Sequence, residues 1–595
     1  MDEHPTESLL LGRRALEHLP FCKMFADLEW FPALGKWGLP CRLTVDPRGL
    51  LPETTDWYIV VDADYPWGAI DCYPAKVGGI QRTFHHQSHN GEGDPSLPWR
   101  SGKVCVQTSL RTFGRREYDI EPMTAGDRLG WHVSRLREWI LAAGDNSLVA
   151  HGDPFELPDF PNIVASLDIA FLEDRESFGL WQHSEETVGT ADFVQVQNNP
   201  SVYLVSAFKN QRGSVLRRLA YGDVSTGKST AGLWVKIPRV PCLDLWQVPS
   251  TLGELRALLQ FMDIDLDRML GRFVRLLRDG KPHFLMLGFP IPLNVGSENV
   301  LYHWQTLLLP VLSHGKINGF RSSESAYSAR DRLRITKDST PVQWVSSHNW
   351  SPLELSTRGR MSDALCSSRI LVVGVGALGS MLAELLARAG CSNFVIVDGE
   401  RLQAGNLSRH MLQLTDVCTS KAAGMASRLR NINPHARVHA IELPFPPTDE
   451  VTKQALRDCN LVVDCTADDT VLERMARFDW QDDRLFISAS VGMHAKRLFL
   501  FFARGNHFPH DKFRLAVDPL VHAELYEYRG EHLPREGVGC WHPVFPARAD
   551  DLWAMASIAS KQIEEIMASE DSLSGLRVFE QVFEDAQFHG IRRVR

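Results

Sequence analysis

Apolar and polar positions alternate most regularly in the C-terminal part of the chain. Short apolar runs at 369–373, 394–398, 461–465 and 485–490 predict strands, and amphipathic stretches at 378–389 and 419–431 predict helices. Strands separated by segments of helical period predict a doubly wound, largely parallel sheet. The run Leu498-Phe499-Leu500-Phe501-Phe502 has no polar position, which suits the interior of that sheet. The pattern upstream is less regular. Residues 1–145 hold extended runs such as Trp57-Tyr58-Ile59-Val60-Val61, then a Gly/Pro/His-rich loop at 78–102. A helix follows near 131–143, with Val133, Leu136, Ile140 and Leu141 at helical spacing. Residues 146–345 mix a strand (Val202-Tyr203-Leu204-Val205), one helix over 251–277 with Leu255, Leu258, Leu259 and Met262 on a single face, and a strand-like run at 284–293. The expected organisation is therefore α+β over 1–145, α+β over 146–345 and α/β over 346–595.

Bulk composition narrows the class. At 595 residues the chain is too long for one core. A formal net charge of −9 argues against a dominant nucleic-acid footprint. The acidic start, Met1-Asp2-Glu3-His4, lacks the shape of a signal peptide, and no apolar run reaches the length of a membrane span. A cytoplasmic protein without membrane partners is expected. The 11 cysteines include no Cys-x-x-Cys pair, which disfavours a disulfide framework or a cysteine-only zinc site.

The chemistry concentrates after the first strand of the α/β region. Gly374-x-Gly376-x-x-Gly379 follows a strand and opens a helix, the context in which glycines let a nucleotide approach the backbone. Asp398 ends the next strand at the spacing of a ribose-binding carboxylate. Asn406-x-x-Arg409 is foreign to hydride transfer and suits attack on the α-phosphate of ATP. Adenylating a carboxylate needs cations against the triphosphate, here Arg409 and Lys421, and Mg²⁺ held by an acid of the Thr466-Ala467-Asp468-Asp469 turn. A second glycine pattern, Gly222 to Lys228-Ser229, satisfies a phosphate-loop signature, but no buried strand precedes it and a strand-like run follows. It reads as a surface hairpin or loop.

Two cysteines stand apart from those in apolar elements. Cys540 lies in Gly537-Val538-Gly539-Cys540-Trp541-His542, a glycine-flanked loop where His542 or a helix end would favour the thiolate; Asp550 is the expected N-cap of the helix that follows. Cys105 lies in Gly102-Lys103-Val104-Cys105, after Tyr73-Pro74, Phe84-His85-His86-Gln87 and Trp99.

Residues 369–470 resemble the ThiF-type adenylation domain shared by ubiquitin-activating enzymes and bacterial activators of sulfur-carrier proteins. The resemblance implies ribose contact by Asp398, phosphate contact by Asn406, Arg409 and Lys421, and Mg²⁺ binding by Asp468, with Asp464 and Asp469 as alternatives. It also places a catalytic cysteine late in the chain, matching Cys540. The segment around Cys105 is similar to ubiquitin-conjugating enzymes, whose thioester cysteine follows a Tyr-Pro turn and a histidine loop. Their usual His-Pro-Asn is absent, and His86 takes the supporting role ahead of His85 and His89. Together the two ends resemble the bacterial conjugating/activating fusion enzymes of cyclic-oligonucleotide (CBASS) antiphage defence. The implied activity is ATP-dependent activation of the C-terminus of a cGAS-like nucleotidyltransferase, carriage as thioesters on Cys540 and Cys105, and conjugation to an acceptor protein or small-molecule amine, by a homodimer. Three alternatives stay open: a sulfur-carrier adenylyltransferase, a nicotinamide-dependent dehydrogenase and a non-catalytic nucleotide-binding scaffold.

Overall fold

The computed structural model describes residues 4–46, 49–106, 121–316, 323–535, 544–569, 573–585 and 587–595. The chain divides into two units: Met1–Leu219 with Gly227–Trp350, and Ala220–Thr226 with Ser351–Arg595.

The first unit opens on an antiparallel sheet. Its strand Lys36–Thr44 pairs with Thr54–Asp62, which pairs with Ile70–Pro74. The helix Arg128–Gly144 buries Val133, Leu136 and Ile140 of the face that the apolar spacing defined, and Leu129 besides, while Leu141 is only half-buried. Each such side chain contributes roughly 1.5–3 kcal/mol on leaving water. A larger, eight-stranded sheet follows; there His283–Pro292 runs parallel to Thr226–Lys236 and antiparallel to Asn299–Leu309.

One expectation for this unit fails and another is refined. The single helix over 251–277 is three: Leu252–Phe261, Leu266–Arg272 and Val274–Leu277. Asp263 takes a left-handed φ of 61°, and the Asp265 carboxylate accepts the Arg268 N–H to cap a new helix. An aspartate that bonds its own neighbouring backbone competes with helix continuation, so the apolar period persists across a break. The second glycine pattern is no phosphate loop: residues 222–225 form a loop, and Lys228 and Ser229 are exposed in the strand Thr226–Lys236, not at a helix start.

The second unit is a twisted α/β sheet. Its strands run in the order Arg437–Ile441, Asn393–Val397, Arg369–Val373, Leu461–Asp464, Arg484–Val491, Arg497–Gly505, Ser574–Glu584 and Gln587–Arg593. The first five are parallel and the last three antiparallel, so the sheet is more mixed than its apolar pattern suggested. The link Gly492–Lys496 is too short for a crossover and forces the strand Arg497–Gly505 to return antiparallel. This strand does occupy the sheet interior. Helix Ala549–Ala568 buries Leu552, Met555, Ala556, Ala559 and Ile563. Its N-cap position is Arg548, not Asp550; Asp550 lies in the first turn and accepts two bonds from the Arg548 guanidinium. Among the described residues, no helix is long and apolar enough to cross a membrane.

Candidate functional site

In the second unit the strand order reverses at Arg369–Val373, which has Asn393–Val397 on one side and Leu461–Asp464 on the other. The carboxyl ends of strands at such a reversal form the ligand crevice of doubly wound sheets. The three glycines there have different duties. Gly374 has a φ of 80°, and a Cβ on it would lie 2.7 Å from Thr466 Cγ2. A Cβ on Gly379 would lie 2.1 Å from the Gly374 carbonyl oxygen, so the helix Ala377–Arg388 packs against the turn only without one. Gly376 caps that helix, and nothing stands within 4 Å of where its Cβ would be. Two glycines serve packing; the third leaves room at a helix N-terminus, where anionic oxygens are favoured.

That room belongs to a cavity of about 420 Å³ lined by Gly376, Asn406, Arg409, Lys421, Thr466 and Phe545, among others. Lys421 opens the helix Lys421–Ile432; its side chain is 7% exposed and its ammonium meets the Glu400 carboxylate. Arg409 donates to the Phe545 carbonyl. Asp398 is buried, and its two oxygens accept the Val375 N–H (2.9 Å) and the Glu400 N–H (2.8 Å). Burial raises its pKa, and those two bonds restrain the rise. His410 Nε2 donates to the Val375 carbonyl at 2.7 Å, and its Nδ1 accepts the Leu412 N–H at 3.0 Å. Burial lowers the His410 pKa to about 4, so the ring is neutral. Asp398 and His410 thus clamp both peptide groups of Val375, in the middle of the glycine turn.

The acids of the next turn separate in role. Asp464 is fully buried, accepts from the Thr466 hydroxyl (2.7 Å) and the Ser488 hydroxyl (3.0 Å), and is raised to about 6 by burial. Asp468 is exposed and caps the helix Asp469–Arg477, its Oδ1 accepting the Thr470 N–H at 2.8 Å. Among the described residues, no three His, Cys, Asp or Glu side chains converge as a metal cage. Cys540, within 536–543, lies outside the described residues.

The first unit holds a second cavity, of about 390 Å³, around the exposed Cys105. The Val104 N–H donates to the Cys72 carbonyl (3.0 Å) and the Cys105 N–H to the His86 carbonyl (2.8 Å), tying this segment to the sheet and to the histidine loop. His86 has a φ of 59°, and its Nδ1 lies 2.7 Å from Glu156 Oε2. His85 stacks on Trp246 with ring centroids 3.9 Å apart, and burial lowers its pKa to about 4. His89 receives the Gln247 amide at 3.1 Å. Of these three histidines only His86 lines the cavity. Asn90 is occupied elsewhere: it bonds the Ile80 and Arg82 carbonyls and the Arg100 guanidinium.

Residues 354–498 match the ThiF family, and residues 146–350 match the Cap2 central linker domain. The ATP-dependent ubiquitin transferase-like protein Cap2 of Enterobacter hormaechei subsp. hoffmannii (strain UCI 50) is 34% identical over 548 residues, covering 90% of each chain. The chain belongs to the Cap2 family. Shorter matches reach the sulfur carrier protein ThiS adenylyltransferase of Escherichia coli (strain K12), 33% identical over 103 residues (17% of this chain, 40% of that protein). The adenylyltransferase and sulfurtransferase MOCS3 of Drosophila sechellia is 34% identical over 103 residues (17% and 22%). This Cap2-family chain is an ATP-dependent activating enzyme with a ThiF adenylation domain.

In the Cap2-family chain, the cavity at the strand reversal gathers Gly376, Asn406, Arg409 and Lys421, while Gly374, Gly379 and Asp398 build the turn behind it. Asp468 does not line the cavity, although its neighbours Thr466 and Ala467 do. His410 and Glu400 were not singled out in the sequence. Their only sequence signal is position, one residue after Arg409 and two after Asp398.

Proposed function

We propose that the chain adenylates the C-terminal carboxylate of a protein, holds the acyl group as a thioester on Cys540, passes it to Cys105 and delivers it to an amine. The convergence of Gly376, Asn406, Arg409 and Lys421 on one cavity at the strand reversal carries this reading. A substrate carboxylate oxygen attacks the α-phosphorus of ATP and pyrophosphate departs. Arg409 and Lys421 neutralise the charge that grows on the leaving oxygens. Glu400 holds Lys421 extended until the phosphates replace it. Asp468 is the acid for Mg²⁺: it is exposed beside the Thr466–Ala467 wall, and Mg²⁺ needs only one or two carboxylates besides phosphate oxygens and water. The ion would supply charge neutralisation on the triphosphate.

Cys540 then attacks the acyl-adenylate carbonyl and AMP leaves; transthiolation moves the acyl group to Cys105. The three-part division at 1–145, 146–345 and 346–595 assigns these steps to a conjugating-like domain, a middle domain and the activating domain. The resemblance set out above supplies the finer reading: a cGAS-like nucleotidyltransferase as the activated protein, a role in antiphage defence and a homodimeric enzyme.

Non-reducing electrophoresis with ATP and a genomically adjacent candidate substrate tests the order. Cys540→Ala is expected to abolish both thioesters, whereas Cys105→Ala retains the one on Cys540. Normal charging of both variants overturns the assignment.

A further inference from the structure

The cavity at Cys105 is not built by residues 1–145 alone. Glu156, Pro158, Asp159 and Trp246 lie in the segment matched by the linker family, yet they share its wall with Cys105 and His86. Their bonds converge on one loop. Glu156 Oε2 meets His86 Nδ1 at 2.7 Å, Asp159 Oδ2 accepts the His89 N–H at 3.0 Å, and the Trp246 N–H donates to the Thr83 carbonyl at 3.2 Å. The same loop accepts the Cys105 N–H through the His86 carbonyl. The middle segment therefore sets the position of the histidine that stands beside the nucleophile.

An imidazole that gives its Nδ1–H to a carboxylate keeps Nε2 as its proton acceptor, the arrangement by which a carboxylate fixes a catalytic histidine. The acceptor in this reaction needs such a base. A lysine amine, with a pKa of about 10.4, arrives as an ammonium and must lose a proton before it can attack. The cavity wall carries three acids, Asp71, Glu156 and Asp159, against one lysine, Lys103, which pairs with Asp71 at 3.4 Å; the acidic excess favours a cationic visitor.

We propose that Glu156 of the middle domain is a positioning residue for acyl transfer from Cys105: it holds His86 as the base that deprotonates the acceptor, and it makes the site selective for a primary ammonium. The inference rests on the thioester reading of Cys105. In the step, the amine nitrogen bonds to the thioester carbonyl carbon and the C–S bond breaks. Of the two protons the ammonium sheds, one leaves through His86 to solvent and the other is taken up by the departing Cys105 sulfur.

The test is a single-turnover chase of full-length enzyme charged on Cys105, with free lysine or with hydroxylamine at the same pH. Hydroxylamine is largely neutral near pH 7 and needs no base to become a nucleophile. Glu156→Gln is expected to slow discharge to lysine about 10–100-fold, the lower range of general-base effects. Discharge to hydroxylamine and charging of Cys105 should stay within about twofold of wild type on the same argument. Glu156→Asp should recover part of the lysine rate. Equal slowing with both nucleophiles would mean a structural role and overturns the inference, as does an unchanged lysine rate. If Glu156→Gln fails to charge, Glu156→Asp takes its place: slowing of lysine discharge alone supports the inference, and equal slowing with both nucleophiles overturns it. Wild-type enzyme that never charges Cys105 overturns the thioester reading itself, a result distinct from the other failures.

Discussion

Adding one methyl group at each glycine of the turn separates packing from ligand binding. In Gly379→Ala the new Cβ would stand 2.1 Å from the Gly374 oxygen, so the helix must shift. Overpacking of this kind costs about 1–3 kcal/mol. Gly374→Ala meets Thr466 at 2.7 Å and must also hold a φ of 80°. The left-handed region adds about 1–2 kcal/mol for a residue with a side chain. At about 2–4 °C per kcal/mol for a unit of this size, Gly379→Ala should unfold roughly 2–12 °C lower and Gly374→Ala roughly 4–20 °C lower. Gly376→Ala meets nothing within 4 Å. Its gain of about 0.4–1 kcal/mol from a stiffer unfolded chain is offset by a poorer N-cap, a loss of similar size, so its Tm should move by less than about 3 °C. Its methyl, however, occupies the approach of phosphate to the helix N-terminus. Loss of one charge-assisted bond, about 1.5–3 kcal/mol, raises the KM for ATP about 10–100-fold, because every 1.4 kcal/mol is a factor of ten. Thermal unfolding without nucleotide and ATP–pyrophosphate exchange at varied ATP measure the two effects. Gly376→Ala with a wild-type KM, or with the instability of Gly379→Ala, would refute the reasoning.

Lys421→Met removes a nearly buried cation from the same cavity and should lower exchange about 10²–10³-fold, as loss of one preorganised electrostatic contact does; retention of half the activity would remove Lys421 from the chemistry. Asp464, raised to about 6 by burial, binds a proton in the folded state over a range where the unfolded carboxyl has already ionised. Its contribution to stability is therefore present below about pH 4 and lost as pH rises through about 6, a swing of about 3 kcal/mol. Urea unfolding of wild type and Asp464→Asn across this range should find the variant gaining on wild type as pH rises, and a flat or opposite trend would sink the assignment.

The elements legible in the sequence are those whose physics is local. Strands buried on both faces read as continuous apolar runs, and the Gly374–Gly379 turn announces itself because a left-handed turn and close helix packing exclude side chains. Arg409 and Lys421 were legible because they follow that turn in order. Asp398 was legible as a residue but not in its bonding. Its spacing suggested a ribose partner, and spacing could not show that its oxygens also hold the Val375 and Glu400 N–H groups. Similarly, the apolar period over 251–277 concealed a break made by Asp263 and Asp265.

From its sequence alone the chain had a doubly wound α/β region, a nucleotide turn and membership in the activating-enzyme class, because period, glycine placement and residue order are properties of neighbours along the chain. Tertiary structure decided which strands return antiparallel, that His410 and Asp398 grip the two peptide groups of Val375, and that Glu156 and Trp246 stand at Cys105. Those outcomes depend on which distant segments share a buried surface, where an unpaired polar group is costly and must find its partner across the fold.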